Sequence, residues 1–391
     1  PRSTLFPYTT LFRSLYAFTP TFPLMVKMPQ TKITIKPGLI QLNHAKINMG
    51  NSDLEITGKI HDLYKTIFDK AIFKAEMAIK SNLIDANELI ATLNKGNATN
   101  TTDVDVKLVD SSSSTTPNTT KPKSFVIPKR IDFRFNSSIS RVLFRDFTWK
   151  NLNGLITIKA QTLDLKNLSS NFNNAKMTTK VRLTAKENLT KSLAFDFKLN
   201  HIDLDNLLDL LPVLDTLLPM SKSFQGDVNF RIKGISKLNT NLGMIAPSID
   251  AIARIEGLNL IVMNSDTFAS ISKKLMFKNK EENKIDKISV ELLMQNKIIE
   301  VLPAEVTIDR YKFAIGGSQK LDMTYKYQFS ILKSPLPFKA GIDIIGDDED
   351  YKIKLTRAKY KYIFSDKKRH QKKVDSTLIK RKMAILKELP F

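Results

Sequence analysis

The sequence predicts a mainly β fold, a largely antiparallel, meandering sheet with a few short helices. Three observations predict it. Apolar and polar residues alternate with period two in many short stretches, as in strands with one apolar and one polar face. Helical spacing is confined to short pieces, too few for repeated parallel crossovers. A weak internal repeat of a strand, a polar turn and an Asp leading into a helix occurs twice, which suggests an extended sheet of stacked modules. At 391 residues the chain can bury a sizeable core and allows two or three domains or one elongated one.

The first stretch, PRSTLFPYTTLFRS, lacks the basic start, smooth apolar core and small-residue cleavage site of a signal peptide. Residues 4–14 read codon for codon as the translation of a common sequencing-library adapter. Residues 1–14 are therefore expected to be non-native and to add nothing to the fold, and any upstream anchor is expected to be missing. Residues 15–93 form the first β-rich module. In TKITIK, Ile33 and Ile35 oppose Lys32, Thr34 and Lys36; DANELIATL then opens a helix with Asp85 as N-cap and Glu88 three residues on. Residues 94–124, rich in Ser, Thr and Asn, cannot bury enough surface to order themselves and read as a flexible linker or loop, with Val104, Val106 and Val109 able to make a short strand.

Residues 125–364 form the second β region. AFDFKLNHIDLDNLL repeats the pattern of FKAEMAIKSNLIDANELI, aligning Asp85 with Asp203 and Leu89 with Leu207, and the leucine spacing runs on until Pro212. In DVNFRIKG, Val228, Phe230 and Ile232 oppose Asn229, Arg231 and Lys233; SDTFASISKKL is a third helix capped by Ser265 or Asp266. Gly316 and Gly317 read as a hairpin turn, and LDMTYKYQFSI as a strand with Leu321, Met323, Tyr325, Tyr327 and Phe329 on one side. DDED at 347–350 reads as a solvated hairpin turn, and RAKYKYIF alternates as a strand does. Residues 365–391 are a basic, partly helical tail. Leu378, Ile379, Met383, Leu386 and Leu389 can share an apolar face, and Lys367, Lys368, Arg369, Lys372, Lys373, Lys380, Arg381 and Lys382 are the candidates for contact with an anionic surface.

Composition excludes several chemistries. The chain has no Cys, hence no disulfide, thiolate ligand or cysteine nucleophile, and its four His do not pair at ligand spacing. No nucleophile elbow, phosphate loop or dinucleotide fingerprint occurs, so no catalytic residue, cofactor or metal is expected. The net charge of +22 fits two readings. It would attract phosphates on nucleic acid or anionic lipid; it also matches the Lys, Ile and Asn excess of an AT-rich coding sequence, since Lys recurs along most of the chain. No nucleic-acid-binding signature accompanies the charge, and nucleic acid is not an expected partner.

In order along the chain, NSDLEITGKI followed by SNLIDANELI, then LNHIDLDNLLDLLP, FQGDVNFRIKG, IDAIARIEGLNL and IDRYKFAIGGSQKLDMTYKYQFSI resemble the AsmA family, specifically its C-terminal region, over about residues 28–365. The resemblance implies a Gram-negative envelope protein, anchored to the inner membrane by an N-terminal helix expected to be missing from this fragment, with an elongated periplasmic β-structure. It also implies kinship with bridge-like lipid-transfer proteins, whose curved, taco-like sheet holds an apolar groove. On that reading Ile33, Ile35, Leu54 and Ile56 would line the groove in the first module, Val228, Phe230, Ile232, Val290 and Leu292 in the second, and Met323, Tyr325, Tyr327 and Phe329 beyond them. The implied partners are membrane phospholipids and other envelope proteins, in outer-membrane maintenance. A scaffold for outer-membrane assembly that binds no lipid is the alternative, because alternation does not distinguish an open groove from a closed sandwich.

Overall fold

A computed structural model describes residues 8–12, 15–19, 22–99, 126–144, 146–187, 189–210, 224–239, 242–262, 273, 283–308, 310–334, 340–347, 350–364 and 376–391. The chain is mainly β with a few short helices, and its strands form a mixed sheet that does not close into a barrel. No helix among the described residues is long and apolar enough to cross a membrane. Two compact units divide the chain: residues 1–172, 183–191 and 238–243, and residues 173–182, 192–237 and 244–391.

The first unit opens with β1 (Tyr8–Phe12), β2 (Leu15–Thr19), β3 (Phe22–Lys36), β4 (Leu39–Met49) and β5 (Ser52–His61), followed by α1 (Leu63–Phe68). Next come β6 (Phe73–Ser81), β7 (Ile84–Asp85), α2 (Ala86–Thr99), β8 (Ile131–Phe144), β9 (Phe147–Lys159) and β10 (Thr162–Phe172). β3 to β6 pair antiparallel in sequence order, β6 pairs parallel with β8, and β9 and β10 follow antiparallel. The parallel step departs from the expected meander. It follows from the long crossover through α2, which is what parallel neighbours require.

Residues 8–12 also depart from expectation. They pair with β3 from Tyr8↔Ile35 to Phe12↔Thr31. YTTLF has strand-forming residues and finds an open edge; Thr9, Thr10 and Leu11 are nevertheless exposed, so these three add hydrogen bonds and little burial.

From residue 175 come β11 (Ala175–Thr184), β12 (Ser192–Asp203), α3 (Leu204–Leu210), β13 (Phe224–Gln225), β14 (Asp227–Lys237) and β15 (Asp250–Val262). β16 (Asn283–Gln295), β17 (Ile298–Ile308), β18 (Tyr311–Lys320), β19 (Tyr325–Lys333), β20 (Gly341–Gly346), β21 (Tyr351–Thr356) and α4 (Ser376–Glu388) complete the chain. β12 pairs with β14, and β14 to β21 form an antiparallel meander in sequence order. Both Asp residues of the internal repeat cap helices. Asp85 Oδ1 accepts the Glu88 N–H at 3.1 Å, and Asp203 Oδ1 accepts the Asp205 N–H at 3.0 Å. α2 runs to Thr99, beyond the boundary expected at residue 93; residues 100–125 and all but Lys273 of the expected third helix lie outside the described residues.

Gly316 and Gly317 are not a turn; both lie inside β18. They are glycine because neighbours come close. A Cβ on Gly317 would sit 2.3 Å from the Lys326 carbonyl oxygen, and one on Gly316 would sit 3.1 Å from the Tyr360 ring. The turn is at LDMT instead, where Lys320 N–H donates to Thr324 O at 2.9 Å, Asp322 Oδ1 accepts from both the N–H and the hydroxyl of Thr324, and Met323 has φ 70°. DDED does connect two strands, β20 and β21, with Asp347 and Asp350 hydrogen-bonded across the turn. RAKYKYIF is not a strand. Its backbone is anchored over β19 and β20 by side chains: Gln328 Nε2 donates to Arg357 O, Lys359 N–H to Gln328 Oε1, and Tyr360 N–H to Ser330 Oγ, at 3.1, 2.8 and 3.0 Å.

Gly317→Ala is expected to destabilise the protein by about 1–3 kcal/mol, because backbone atoms of β19 cannot retreat without breaking the ladder. Gly316→Ala should cost less, since a side-chain ring can give way. Urea unfolding of the two variants measures the difference, and equal midpoints would contradict the close approach at Gly317.

Candidate functional site

Register across the first unit assembles apolar rows perpendicular to the strands. One row runs Ile35, Ile40, Ile60, Ala75, Phe133, Ile158, Leu163; the next runs Ile33, Leu42, Gly58, Met77, Phe135, Ile156, Leu165. A third carries Ala45, Ile56 and Ile79. Phe133 joins the rows, its ring 5.1 Å from Phe73 and 5.9 Å from Phe135, both edge-on. The opposite face is charged. Lys59, Glu76 and Arg134 stand side by side on β5, β6 and β8, and Lys159 and Asp132 pair at 2.7 Å.

This apolar face is not sealed. Apart from Ala75, every residue of the first two rows is only half-buried, except Ile35, which is 47% exposed. At one end the face is tied off. Asp53 at the start of β5 takes the N–H groups of Asn82 and Leu83 at 3.0 and 2.7 Å and the Ser81 hydroxyl at 3.2 Å. Ser52 Oγ accepts the Asp85 N–H at 2.9 Å, and Glu88 Oε2 accepts the Asn51 N–H at 2.8 Å. Glu88 therefore does not complete a capping box with Asp85; it reaches the β4–β5 turn. Burial pushes the Asp53 carboxyl up, and the hydrogen bonds more than offset it, holding the group below its ordinary value. From this clasp α2, about 21 Å long, lies against both β3 and β8, whose separation is four strand spacings, about 19 Å.

In the second unit the corresponding face is closed over much of its extent. Val228, Phe230 and Leu292 are 2%, 1% and 4% exposed, and Tyr327 and Phe329 are also buried. The same face carries Phe313, stacked on Tyr311 at 5.7 Å and edge-on to Phe329 at 6.3 Å. The Tyr327 hydroxyl donates to Gln319 Oε1 at 3.0 Å, and burial pushes its pKa up. Ile232, Val290 and Tyr325 are half-buried. Met323 leaves the set because it sits in the turn. Of the candidates in the first unit, Ile33, Ile35 and Ile56 stand in the rows and Leu54 follows on the same face of β5; Met77, Phe133, Phe135, Ile156 and Ile158 were missed in the sequence because they are brought alongside only by pairing.

The opposite face of the second unit carries the charges and α4. Leu293 pairs with Glu300, and Glu291 shares their face. Arg381 donates through Nη1 to Glu300 and through Nε to Gln295, each at 2.8 Å, and Lys382 pairs with Glu291. Arg381 and Lys382 are thus engaged within the chain, not presented to an anionic surface. The helical spacing of Arg381, Lys382 and the buried Ile385 turns them together onto the sheet. Ile379 and Met383, two of the residues expected to share an apolar face, are 45% and 61% exposed. Lys380 is exposed, and Lys367, Lys368, Arg369, Lys372 and Lys373 lie outside the described residues.

Further along, Arg231 grips Asp196 with two hydrogen bonds of 2.9 and 2.8 Å, and Lys233 Nζ stands 3.4 Å from the same carboxylate. No family model matches the sequence, and no curated protein or solved structure matches the chain.

The Asp196 site carries a pH dependence. Burial raises its pKa, but the Arg231 hydrogen bonds and the charges of Arg231 and Lys233 outweigh that and hold it below 3.8. A lowered folded pKa stabilises the protein above the unfolded value and is lost as pH falls through the folded value. Asp196→Asn should therefore cost about 1–2 kcal/mol above pH ~4, discounted for the half-exposed Arg231, and should flatten the loss of stability below it. Unfolding curves between neutral and acid pH check this, and parallel curves for parent and variant would exclude it.

Proposed function

We propose that the chain holds or conducts phospholipid acyl chains along the apolar face of its first unit, as a non-catalytic, AsmA-like component of outer-membrane maintenance in the periplasm, anchored to the inner membrane. One observation carries the reading: two adjacent apolar rows across seven strands, large side chains at every position but Ala75 and Gly58, stay largely half-exposed while the reverse face is charged. An apolar face costs about 25 cal/mol for each Å² left in water, and contiguous patches of this kind mark binding surfaces. A row across seven strands spans about 29 Å, six spacings of about 4.8 Å, enough to lay an extended acyl chain along it. The closed face of the second unit favours the alternative, a scaffold that binds no lipid, for that part of the chain.

A photo-crosslinking residue at Ile156 or Phe135 is expected to capture lipid during expression in a Gram-negative host, while one at Thr157 or Arg134, on the charged face, is not. Mass spectrometry of the adducts decides. Capture at neither face, or equally at both, in a folded protein supports the scaffold reading. Phe230 is a control for packing: Phe230→Asp places a carboxylate in a closed core and should destabilise the protein by about 3 kcal/mol or more.

A further inference from the structure

The end of the first unit opposite the Asp53 clasp is built differently. The Asp62 N–H donates to Gly38 O at 2.8 Å, setting α1 beside the β3–β4 turn. Arg130 Nη1 donates to Lys70 O at 2.7 Å and the Phe73 N–H to Arg130 O at 2.8 Å, tying the chain that enters β8 to the connection after α1. On this frame Tyr64, Ile67 and Phe68 fall at i, i+3 and i+4, on one side of α1, and are 70%, 61% and 65% exposed; Ile72 adds to them at 49%. The Tyr64 and Phe68 rings lie 4.5 Å apart. α1 buries none of its residues. A helix that served only to connect β5 and β6 would turn such a face to the sheet.

The charges around α1 are mostly uncompensated. Lys36, Lys70, Lys74 and Arg130 are exposed and have no carboxylate partner among the described residues. Lys65 stands 3.9 Å from Asp62 and Lys129 pairs with Glu187 at 2.8 Å; Asp69 is the other carboxylate of the connection. Two aromatic rings and two isoleucines exposed together, beside cations without a carboxylate partner among the described residues, have the chemistry of a bilayer interface. Rings settle there at headgroup level while lysines and arginine meet lipid phosphates.

We infer that α1 and its surrounding cations are a docking surface for an anionic phospholipid bilayer. The first apolar row runs along this same end, where Ile35 is most exposed, so a docked bilayer would lie next to the open row. Docking stands on the α1 surface alone and does not require that the row carry lipid.

The test uses the whole chain and vesicles of phosphatidylcholine with or without phosphatidylglycerol. Trp149 is the single Trp and is buried, so Phe68→Trp adds a distinguishable reporter. The expected result is binding to the anionic vesicles that weakens with salt, quenching of the new Trp by lipids brominated on their acyl chains, and at least tenfold weaker partitioning when Tyr64, Ile67 and Phe68 are all replaced by Ser. Lys36→Glu with Lys70→Glu should weaken it independently. Since these side chains are exposed, melting should not change. Undiminished binding of the Ser variant overturns the proposal, as does an unquenched reporter, or loss of binding only on Ile379→Ser with Met383→Ser in α4. Lipid adducts at position 156 without vesicle binding would refute docking and leave the lipid-holding reading intact; vesicle binding without adducts would do the reverse.

Discussion

Register is the constraint on which the rest of this sheet depends. Side chains alternate between faces, so a slip of one residue would carry an entire apolar set to the charged side. The chain inserts extra residues without that penalty. β4 has one more residue between Leu42 and Ala45 than either neighbour, and both β3 and β5 step across it together, so Ile33–Leu42–Gly58 and Thr31–Ala45–Ile56 stay in line. Asn43 secures the bulge by donating to Thr34 Oγ1 at 2.7 Å. In β12 the step between Leu199 and Ile202 places His201 at φ 54°, and Asn229 of β14 accepts its N–H at 3.0 Å. In this second bulge a side chain of the neighbouring strand satisfies a backbone N–H that the broken ladder leaves over.

One alternating pattern leads to two outcomes. In the second unit, bulky residues meet across neighbouring strands: Tyr311 and Phe313 on β18, Phe329 and Ile331 on β19, Ile342 and Ile344 on β20, all buried. In the first, the rows contain Gly58 and Ala75, and the larger residues beside them stay half-buried. Closure depends on what strands distant in sequence bring alongside, since the second unit's row also runs through Ala253 and Gly317. That information is absent from any single strand, which is why TKITIK and DVNFRIKG look equivalent as text and differ in the fold.

Legibility follows the range of the interaction. The β class, the caps at Asp85 and Asp203 and the DDED turn rest on neighbours within a few residues, and they could be read. The glycine pair could not, because Gly317 answers to Lys326 and Tyr327 on another strand. RAKYKYIF has strand periodicity, but the buried amide of Gln328 and hydroxyl of Ser330 take its backbone hydrogen bonds and hold it as a loop. α1 carried no signal at all: its six residues follow Asp62, which is left-handed and makes no side-chain cap. The parallel step between β6 and β8 was hidden by the length of the crossover.

The segments NSDLEITGKI and SNLIDANELI, prominent in the family resemblance, meet in the fold as the Asp53 clasp, and this gives them a physical meaning that does not depend on kinship. Asp53, which takes the N–H groups of Asn82 and Leu83, Ser52, which takes that of Asp85, and Glu88, which takes that of Asn51, together fix the turn after β6, the start of α2 and the β4–β5 turn as one body. They also make the two ends of the first unit unequal. At the clasped end, polar side chains satisfy the backbone and α2 spans the strands; at the α1 end, backbone hydrogen bonds and the Arg130 side chain hold the frame, and the apolar side chains of α1 point outward. An apolar face tied off at one end and unsealed at the other has a direction, and a sheet of alternating strands acquires one only through what is placed at its ends.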